Sequence, residues 1–491
     1  MAINLDTLAE EMQFSFIADK DPYSTVLLTY SFAEWSQPAD LPTSGSYTGW
    51  TPFTEAEQDE VRLMLEHIET FLDIHFMEIP SGTVEPDLNF GKVDMPFYIA
   101  GEGGPSISYI GTEILYWDGF AVFNNMLDLA SGQRGLILHE IGHALGLKHS
   151  FSSPAVPDEY ENNKFTLMSY TVNPDTGVDA DAMQVFDIYA LQDIWGANTT
   201  HNYFEDTYTG KRTATTDVIW DAGGTDVLDA SADPDGVILD LRQGEYSTFG
   251  AYQDVAIAYG TVIENAIGSD FADTITGNDG DNAIWGNDEN DYIEALDGDD
   301  VVRGGRNNDQ ILGRNGDDTL YGDKGADRLQ GQNGNDVLYG AQGRDRLYGA
   351  NDDDKLFGGG GQDLLLGGNG RDSLTGGWGD DTLEGGAGRD TLIGGQGDDV
   401  LHGQGGRDRL VGGTQADTFI FALGDNHDTI VDFEDDIDLI QFIGLGSEAE
   451  ILNLAEQVGN DVRWDFGLND RLVVLDTTIA DMWDDIAIVT V

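Results

Sequence analysis

The chain contains no cysteine, so it can form neither a disulfide framework nor a thiolate metal site. Basic residues are scarce, because 23 Lys and Arg stand against 91 Asp and Glu and give a formal net charge of -68. Such a charge disfavours nucleic acids and anionic membranes as partners and favours cations, with a merely solvated acidic surface as the alternative. Apolar runs are also short, and none approaches the ~18 residues of a membrane-spanning helix.

Residues 1–22 lack the basic segment and the apolar core of a signal peptide. We therefore expect no cleavable N-terminal export signal, and we interpret this stretch as a pro-segment or an N-terminal extension. The whole chain is too long for one ordinary core, which predicts two or three domains. Its 64 glycines far exceed the usual share of about 7% and indicate that one part is built on glycine.

Residues from about 50 to 200 have the pattern of a mixed α/β domain. A candidate N-cap at Thr54 is followed by apolar residues at helical spacing, which predicts one long amphipathic helix. Ser106–Tyr116 is β-rich and apolar enough for a strand. Leu136–Leu147 has the character of a helix, and a further helix is expected over Ala182–Trp195.

Residues 268–420 are 17 consecutive nine-residue blocks with the consensus GGxGxDxUx, where U is apolar. The first position is Gly except at Ala295, the sixth is Asp except at Asn282, and the eighth is always apolar. Glycine loops that alternate with short strands predict a parallel β-roll, in which two repeats form one turn and the eighth residue points inward. A disordered glycine-rich linker is the alternative, but it has no reason to place an apolar residue at every ninth position.

Loops stacked along the two edges of such a roll bring carboxylates and backbone carbonyls together as the hard oxygen ligands that Ca²⁺ prefers. The negative charge then has a use. The candidate carboxylate ligands are Asp291, Asp300, Asp309, Asp318, Asp327, Asp336, Asp345, Asp354, Asp363, Asp372, Asp381, Asp390, Asp399, Asp408 and Asp417. The candidate carbonyl ligands belong to Gly358, Gly359, Gly361, Gly367, Gly368, Gly370, Gly376, Gly377, Gly379, Gly385, Gly386, Gly388, Gly394, Gly395 and Gly397.

The most specific motif is HExxHxxGxxH, which runs from His139 to His149. The spacing of His139 and His143 places both imidazoles on one helix face, where they can bind a single Zn²⁺. Gly146 permits a left-handed turn that brings His149 back as a third ligand. Three protein ligands leave one zinc position open, and Glu140 could then act as a general base on a water molecule held by the zinc. The other histidines have no ligand-like spacing and are interpreted as surface or core residues: His67, His75, His201, His402 and His427.

The zinc motif is followed by Leu167-Met168-Ser169-Tyr170, which resembles the Met-turn of metzincins. The resemblance to one metzincin family, the serralysins, extends over residues 25–491 through four further segments in the same order. These segments are LTYSF (Leu28–Phe32), FDIYALQDIWGAN (Phe186–Asn198), IWDAGGTDVLDAS (Ile219–Ser231) and AIAYGTVIENAIG (Ala256–Gly268). Departures from the family are Ser150 in place of a proline and a Thr199–Thr207 stretch without the family's RTGDT sequence.

The resemblance implies an α/β (α+β) zinc-protease domain over 23–200, followed by an all-β parallel roll over 268–420. It further implies a connecting β segment packed on the roll over 201–267 and a C-terminal β segment with an uncleaved export signal over 421–491. Met168 would form the floor below the zinc, and Tyr170 would be an additional zinc ligand that is released to bind the oxyanion. Calcium would also bind at Asp221, Gly223, Gly224 and Asp226 and at Glu264 with Asp273.

The function implied by the resemblance is that of a secreted bacterial zinc endopeptidase acting on extracellular proteins, with one catalytic Zn²⁺ and several structural Ca²⁺. Its partners would be a type I export apparatus and a periplasmic or host inhibitor, and the chain would be monomeric. One alternative is a calcium-dependent adhesin or surface protein with a vestigial protease domain, which the intact ligands and Glu140 disfavour. Another metzincin such as an astacin also fits the zinc motif but is disfavoured by the nonapeptide repeats and the lack of Cys.

Overall fold

The computed structural model describes residues 25–34, 36–38, 47–82, 85–97, 99–110, 113–150, 157, 160, 162–174, 180–210, 215–250, 252–467, 470–482 and 485–489. The chain divides into two compact units, Met1–Asp226 with Gln243–Ile263 and Val227–Arg242 with Glu264–Val491. The segment 201–267, which we expected to be one connecting β segment, is thus shared between the two units. Residues 1–22, interpreted as a pro-segment or extension, lie outside the described part of the chain.

The helices are α1 (Glu55–Phe71), α2 (Arg134–Ala144), α3 (Val185–Trp195) and α4 (Glu448–Leu454). The strands are β1 (Val26–Phe32), β2 (Ile74–Glu78), β3 (Leu88–Val93), β4 (Gly101–Ile110), β5 (Glu113–Asn124), β6 (Thr207–Tyr208), β7 (Asp217–Ile219), β8 (Val227–Asp229), β9 (Ile238–Asp240), β10 (Tyr246–Thr248), β11 (Gln253–Ile257), β12 (Asn265–Ile267), β13 (Thr274–Thr276), β14 (Ala283–Asn287), β15 (Tyr292–Asp297), β16 (Val301–Arg306), β17 (Gln310–Asn315), β18 (Thr319–Lys324), β19 (Arg328–Asn333), β20 (Val337–Gln342), β21 (Arg346–Asn351), β22 (Lys355–Gly360), β23 (Leu364–Gly370), β24 (Ser373–Trp378), β25 (Thr382–Gly388), β26 (Thr391–Gln396), β27 (Val400–Gly406), β28 (Arg409–Thr414), β29 (Thr418–Ala422), β30 (His427–Ile430), β31 (Leu439–Ile443), β32 (Glu456–Val458), β33 (Asp461–Gly467), β34 (Asp470–Val474) and β35 (Ile486–Val489).

The first unit contains a five-stranded sheet in the order β2-β1-β3-β5-β4. Strands β1, β2, β3 and β5 pair in parallel, whereas β4 pairs antiparallel with β5 and lies at the edge of the sheet. The sequence predicted one strand over Ser106–Tyr116, and this prediction is wrong. That stretch spans parts of both β4 and β5, which pair antiparallel with Ile110 opposite Glu113.

The long helix α1 begins where the sequence predicts. The Thr54 hydroxyl accepts the N–H of Glu57, and the Glu57 carboxylate accepts the N–H of Thr54, which satisfies two backbone donors at the start of the helix. Val61 and Ile68 on its inner face are fully buried in the core of the first unit. The helices predicted over Leu136–Leu147 and Ala182–Trp195 are present as α2 and α3, but α2 begins two residues earlier and ends three residues earlier, and α3 begins three residues later.

The second unit contains the predicted parallel β-roll. Each strand pairs with the strand two repeats further on, so that Leu320 lies opposite Leu338, and the two repeats between them form one turn. Every eighth-position side chain from Ile275 to Phe419 is at most 1% exposed. The coil also extends beyond the repeats, because β8 and β9 pair with β12 and β13 before them, and β30 and β31 continue the sheets after them. Among the described residues, no helix is long and apolar enough to cross a membrane.

Candidate metal sites

Helix α2 carries the first two histidines of the zinc motif and ends in a glycine turn. Gly146 adopts a φ of +114°, a conformation that favours glycine. The N–H of Gly146 donates to the carbonyl of His143, and the N–H of Leu147 donates to the carbonyl of Gly142. This pair of bonds is a Schellman motif, and it turns the chain so that His149 returns to the helix.

The three motif histidines converge on one point. The Nε2 atom of His149 lies 3.4 Å from Nε2 of His139 and 3.0 Å from Nε2 of His143. The opposite ring nitrogens are held by backbone, because Nδ1 of His139 donates to the Leu167 carbonyl at 2.9 Å and Nδ1 of His143 donates to the Leu147 carbonyl at 2.8 Å. These bonds place the proton on Nδ1 in both rings and leave their Nε2 lone pairs directed at each other.

This donor set fits zinc. Two Zn–N bonds of 2.0–2.1 Å in a tetrahedral site separate their nitrogens by about 3.3 Å, close to the observed spacings. Burial lowers the pKa of all three imidazoles, to about 3 for His143 and about 4 for His149, so the rings are neutral at physiological pH. Converging bare lone pairs repel one another unless a cation lies between them. None of the other five histidines, all of them described, belongs to this cluster.

Glu140 is buried against the edge strand β4. The backbone N–H of Gly103 donates to its carboxylate, and burial together with the charge of Glu102 raises the pKa of Glu140 to about 8 in the metal-free protein. A Cβ on Gly103 would lie 2.2 Å from the backbone oxygen of Glu140, and one on Gly101 would lie 2.9 Å from its carboxylate. Glycine at both positions therefore lets β4 pass against the helix, a role that the motif alone did not indicate.

Met168 and Tyr170 lie beside the motif histidines and helix α2. Met168 is fully buried, and its sulfur would be 3.1 Å from a Cβ on Gly142, so it packs directly beneath the histidine-bearing turn of α2. The Tyr170 hydroxyl lies 2.6 Å from Nε2 of His149. Its ring stacks on His139 with 5.6 Å between ring centres. Both residues thus belong to the same site as the three histidines.

An open cleft of about 840 Å³ gives access to this site. Its lining includes His139, Glu140 and Tyr170, together with Gly101 of the edge strand β4. Asp181 also lines the cleft. The cleft therefore exposes the candidate metal position and the buried carboxylate to a ligand that lies along β4.

The sixth-position aspartates of the roll form two hydrogen-bonded ladders. In each ladder the N–H of one aspartate donates to Oδ1 of the aspartate one turn later, as from Asp300 to Asp318 at 3.0 Å and from Asp318 to Asp336 at 2.9 Å. All predicted members from Asp291 to Asp417 are at most 3% exposed. Each carboxylate therefore ties two turns together and is withdrawn from water.

The second oxygen of nearly every ladder carboxylate is buried without a hydrogen bond. A buried, unsatisfied carboxylate oxygen is costly, so a cation is the partner that this row of oxygens requires. These Oδ2 atoms belong to Asp291, Asp300, Asp309, Asp318, Asp327, Asp336, Asp345, Asp354, Asp363, Asp372, Asp381, Asp390, Asp399, Asp408 and Asp428. Their number and chemistry fit Ca²⁺, which prefers carboxylate and carbonyl oxygens.

The ladders explain the glycine at the first position of each repeat. A Cβ on Gly313 would lie 2.0 Å from Oδ2 of Asp318, and one on Gly349 would lie 2.2 Å from Oδ2 of Asp354. At the fourth position, a Cβ on Gly361 would lie 1.3 Å from the Gly343 carbonyl of the preceding turn. These glycines leave room for the carboxylates and for the backbone carbonyls stacked along the edges.

Two ladder members were missed by the sequence analysis. The N–H of Asp408 donates to Asp428 at 3.1 Å, and the N–H of Asp417 donates to Asp438 at 2.9 Å. They lie 20 and 21 residues after their partners, more than the regular turn of 18, so the strict nine-residue pattern ends before them. The available signal was an Asp two residues before a buried isoleucine, Ile430 or Ile440, as in the regular repeats.

A third cluster of donors lies in the first unit. Carboxylate oxygens of Asp206, Asp221 and Asp226 lie within 4.8 Å of one another. Gly223 and Gly224 between the last two have φ values of +132° and +158°. Asp221 and Asp226 were predicted as calcium ligands, but Asp206 was missed because it lies in the stretch that lacks the family's ligand sequence.

Glu264 and Asp273 are not members of either convergent donor cluster found among the described residues. The Asp273 carboxylate instead accepts the N–H of Val237 at 2.7 Å and the N–H of Ser269 at 2.6 Å. Its side chain also accepts the Ser269 hydroxyl. A calcium site at this pair stays a prediction from the resemblance.

The chain is similar to one repeat family and to several known proteins. The family of the RTX calcium-binding nonapeptide repeat (4 copies) matches residues 267–302, 294–329, 321–356, 330–365, 357–392, 384–419 and 393–428. A serralysin of Proteus mirabilis is 30% identical over 299 residues, which cover 52% of this chain and 60% of that protein. A serralysin of Photorhabdus laumondii subsp. laumondii is 30% identical over 303 residues, covering 54% and 62%.

The metallopeptidase AprA of Pseudomonas marginalis is 28% identical over 307 residues, covering 54% of this chain and 63% of that protein. A solved structure, the extracellular lipase LipA from Serratia marcescens, covers 44% of this chain and 40% of its own at 20% identity with a TM-score of 0.19, too low to support an inference. Residues 267–428 thus match the RTX calcium-binding nonapeptide repeat, and these residues lie in the parallel roll. The chain is also similar to the serralysins, although it spans only about three fifths of the length of the curated relatives it matches.

Proposed function

We propose that this protein is a secreted zinc-dependent endopeptidase whose C-terminal roll is stabilised by calcium. The observation that carries the proposal is the convergence of three imidazole Nε2 atoms beside the buried Glu140 in an open cleft. His139, His143 and His149 would hold the zinc and leave one position of a tetrahedral site for a substrate or water, as in catalytic zinc sites.

The residues around this centre have the chemistry that peptide hydrolysis needs. When bound, zinc supplies Lewis-acid chemistry that polarises a carbonyl and makes water easier to deprotonate. Glu140 would accept the proton of the attacking water and pass it to the leaving amine, a task suited to a carboxyl whose pKa is raised by burial. The Tyr170 hydroxyl, whose pKa is raised by burial and by Glu140, keeps its proton and would donate to the oxyanion.

Strand β4 would orient the substrate. It is the edge strand of its sheet, and Gly101 in it lines the cleft. An extended peptide can pair with the backbone of an exposed edge strand and so lie across the metal site. The proposed substrates are therefore extended segments of proteins rather than small molecules.

We propose in addition that the protein is exported to the extracellular space by a type I apparatus that reads an uncleaved C-terminal signal. The roll supports this proposal, because its unsatisfied carboxylates would favour folding where calcium is abundant. The proposed signal includes Asp485 and the last described strand, β35. A periplasmic or host protein inhibitor and a monomeric state are part of the same proposal.

The test is hydrolysis of fluorescent casein by the full chain loaded with zinc and calcium. We expect hydrolysis that a zinc chelator abolishes in excess calcium, and Glu140→Ala should keep its zinc while losing at least about 100-fold in rate. His143→Ala should lose zinc, whereas His75→Ala is the matched control outside the cluster. A zinc-replete protein without hydrolysis would instead support a calcium-dependent adhesin with a vestigial protease domain.

A further inference from the structure

A continuous chain of hydrogen bonds leads from His139 to a buried carboxylate on α3. Nδ1 of His139 donates to the Leu167 carbonyl at 2.9 Å. The N–H of Met168, which belongs to the same peptide group as that carbonyl, donates to the Thr166 hydroxyl at 3.0 Å. The Thr166 hydroxyl in turn donates to Oδ1 of Asp187 at 2.7 Å. Each donor in the chain points towards Asp187.

The second carboxylate oxygen of Asp187 holds the same loop by another route. Oδ2 accepts the N–H of Leu167 at 2.7 Å and the N–H of Gln184 at 2.9 Å. The Gln184 bond closes the start of α3 and is an ordinary helix cap. The bonds from Thr166 and Leu167 have no such helical role, because both donors lie in the turn that carries Met168.

This chain is shielded from water throughout. Thr166, Met168 and Asp187 are fully buried, and His139 is 8% exposed. In such surroundings hydrogen bonds polarise one another, so a negative charge at one end strengthens every acceptor along the chain. The Leu167 carbonyl becomes a stronger acceptor for Nδ1–H, which makes Nε2 of His139 a better electron donor. The residues that orient and polarise metal-bound histidines commonly affect metal affinity.

We propose that Asp187, acting through Thr166 and the Leu167–Met168 peptide, is a positioning residue that fixes the tautomer of His139 and strengthens its binding of zinc. The proposal rests on the proposed zinc site but adds a role for two residues outside the zinc motif. It assigns the Met-turn a second task besides packing, since its backbone transmits the charge of Asp187 to the metal ligand.

The test uses the full-length, calcium-loaded protein and point variants that each remove a different hydrogen bond between His139 and Asp187. Thr166→Val removes the hydroxyl with little change in volume, Asp187→Asn removes the charge with little change in shape, and Thr166→Ser restores the hydroxyl. Ile188→Val is the matched control, because it removes a methyl group from the buried neighbour of Asp187 on α3 without touching the chain. Thermal unfolding of every variant separates stability from metal binding.

Two measurements report on His139 as a zinc ligand. Zinc affinity, measured by competition with a chromogenic chelator, should fall about tenfold in Thr166→Val and Asp187→Asn and return to the parent value in Thr166→Ser. In the zinc-free protein labelled with ¹⁵N-histidine, the His139 signals should show one Nδ1–H tautomer in the parent and a mixture of tautomers in the two broken variants. Signals of His139 are assigned by their loss in His139→Gln.

Parent zinc affinity and a single tautomer in a folded Thr166→Val or Asp187→Asn protein would overturn the proposal. If Asp187→Asn does not fold, Thr166→Val decides, because it keeps the carboxylate and its bonds to Leu167 and Gln184. A loss of affinity in Ile188→Val equal to that in Thr166→Val would also overturn it. Failure of the parent protein to bind zinc would instead refute the proposed function. The tautomer measurement would still test the role of the hydrogen bonds between His139 and Asp187.

Discussion

The backbone N–H of Asp300 donates a 3.0 Å hydrogen bond to Oδ1 of Asp318, which lies one turn further along the roll. The other oxygen of Asp318 is buried without a hydrogen bond, and the pattern repeats along both edges. One carboxylate oxygen thus joins successive turns while the other requires a cation. The hydrogen bonds between turns hold the unsatisfied oxygens close together. The stability of the roll therefore depends on calcium, which would bind these oxygens.

The first prediction is that removing calcium unfolds the roll. Without the ions, closely spaced buried carboxylates oppose the stacking of turns that each contribute few apolar side chains. Circular dichroism of the Glu140→Ala protein, chosen to prevent the self-digestion that the proposed activity would cause, should show loss of β-structure in excess chelator and a cooperative gain on adding Ca²⁺. The α-helical signal of the first unit should largely remain. A fully β-structured second unit in chelator would contradict this coupling.

The second prediction concerns the pH dependence of the calcium-free roll. Burial, and then the neighbouring carboxylates, raise the pKa of Asp318 to about 8 and that of Asp300 to about 7, from an ordinary 3.8. Since the folded pKa is above the unfolded pKa, the folded roll binds more protons between these values, and its stability falls as the pH rises through them. In chelator, lowering the pH from about 8 to about 5 should therefore restore β-structure. In excess calcium this dependence should be absent or reversed.

One substitution separates charge from hydrogen bonding in this prediction. Asp318→Asn keeps an acceptor for the Asp300 N–H, and Asn282 shows that asparagine occurs at this position. The variant should be more stable than the parent in chelator at about pH 8 but should bind calcium more weakly. Asp317→Asn, which removes the same charge at an exposed neighbour, is the control and should change neither quantity appreciably. Changes of the same sign in both conditions would argue against a ligand role for Asp318.

The third prediction tests the strain at the second position of the repeats. Ala350 adopts a φ of +93°, in the region that costs a residue with a Cβ roughly 1–2 kcal/mol. Ala350→Gly should therefore stabilise the calcium-loaded roll by about 0.5–1 kcal/mol after the entropy of glycine is subtracted. Ala387→Gly, at the third position with an ordinary φ, should destabilise it by about 0.5–1 kcal/mol. Chemical unfolding of the two variants should give shifts of opposite sign.

The sequence predicted those features that depend on spacing alone. The turn of two repeats, the inward eighth residue and the alignment of the sixth-position Asp along the edges all follow from a strict period, because each repeat meets the same neighbours. The return of His149 follows in the same way from Gly146, whose conformation ends α2. For such local or periodic features, the residue pattern determines the contacts.

Features that join distant segments could not be predicted in this way. Asp206 joins Asp221 and Asp226 only because the fold returns the chain to that point, and it has no motif of its own. The contact of Gly103 with Glu140 depends on the packing of β4 against α2, which spacing does not reveal. The Ser106–Tyr116 prediction failed for a related reason, since a β-rich stretch does not show where a strand reverses.

The last prediction concerns Tyr170, whose hydroxyl lies 2.6 Å from Nε2 of His149 at the open side of the site. If this hydroxyl binds the oxyanion, its contribution is made in the transition state and not in the bound substrate. Tyr170→Phe should then lower kcat by about 100-fold and leave KM nearly unchanged. Tyr203→Phe, an exposed tyrosine outside the cleft lining, is the matched control and should keep parent kinetics.

Zinc content must be measured alongside these rates, because Tyr170 also contacts His149 and a loss of metal would mimic a loss of catalysis. A zinc-replete Tyr170→Phe protein with a large rise in KM and unchanged kcat would place the hydroxyl in substrate binding. Full activity in the same protein would remove Tyr170 from the reaction. A selective fall in kcat is expected because the phenol, whose pKa is raised by burial and by Glu140, carries its proton at neutral pH and can donate it to a developing negative charge.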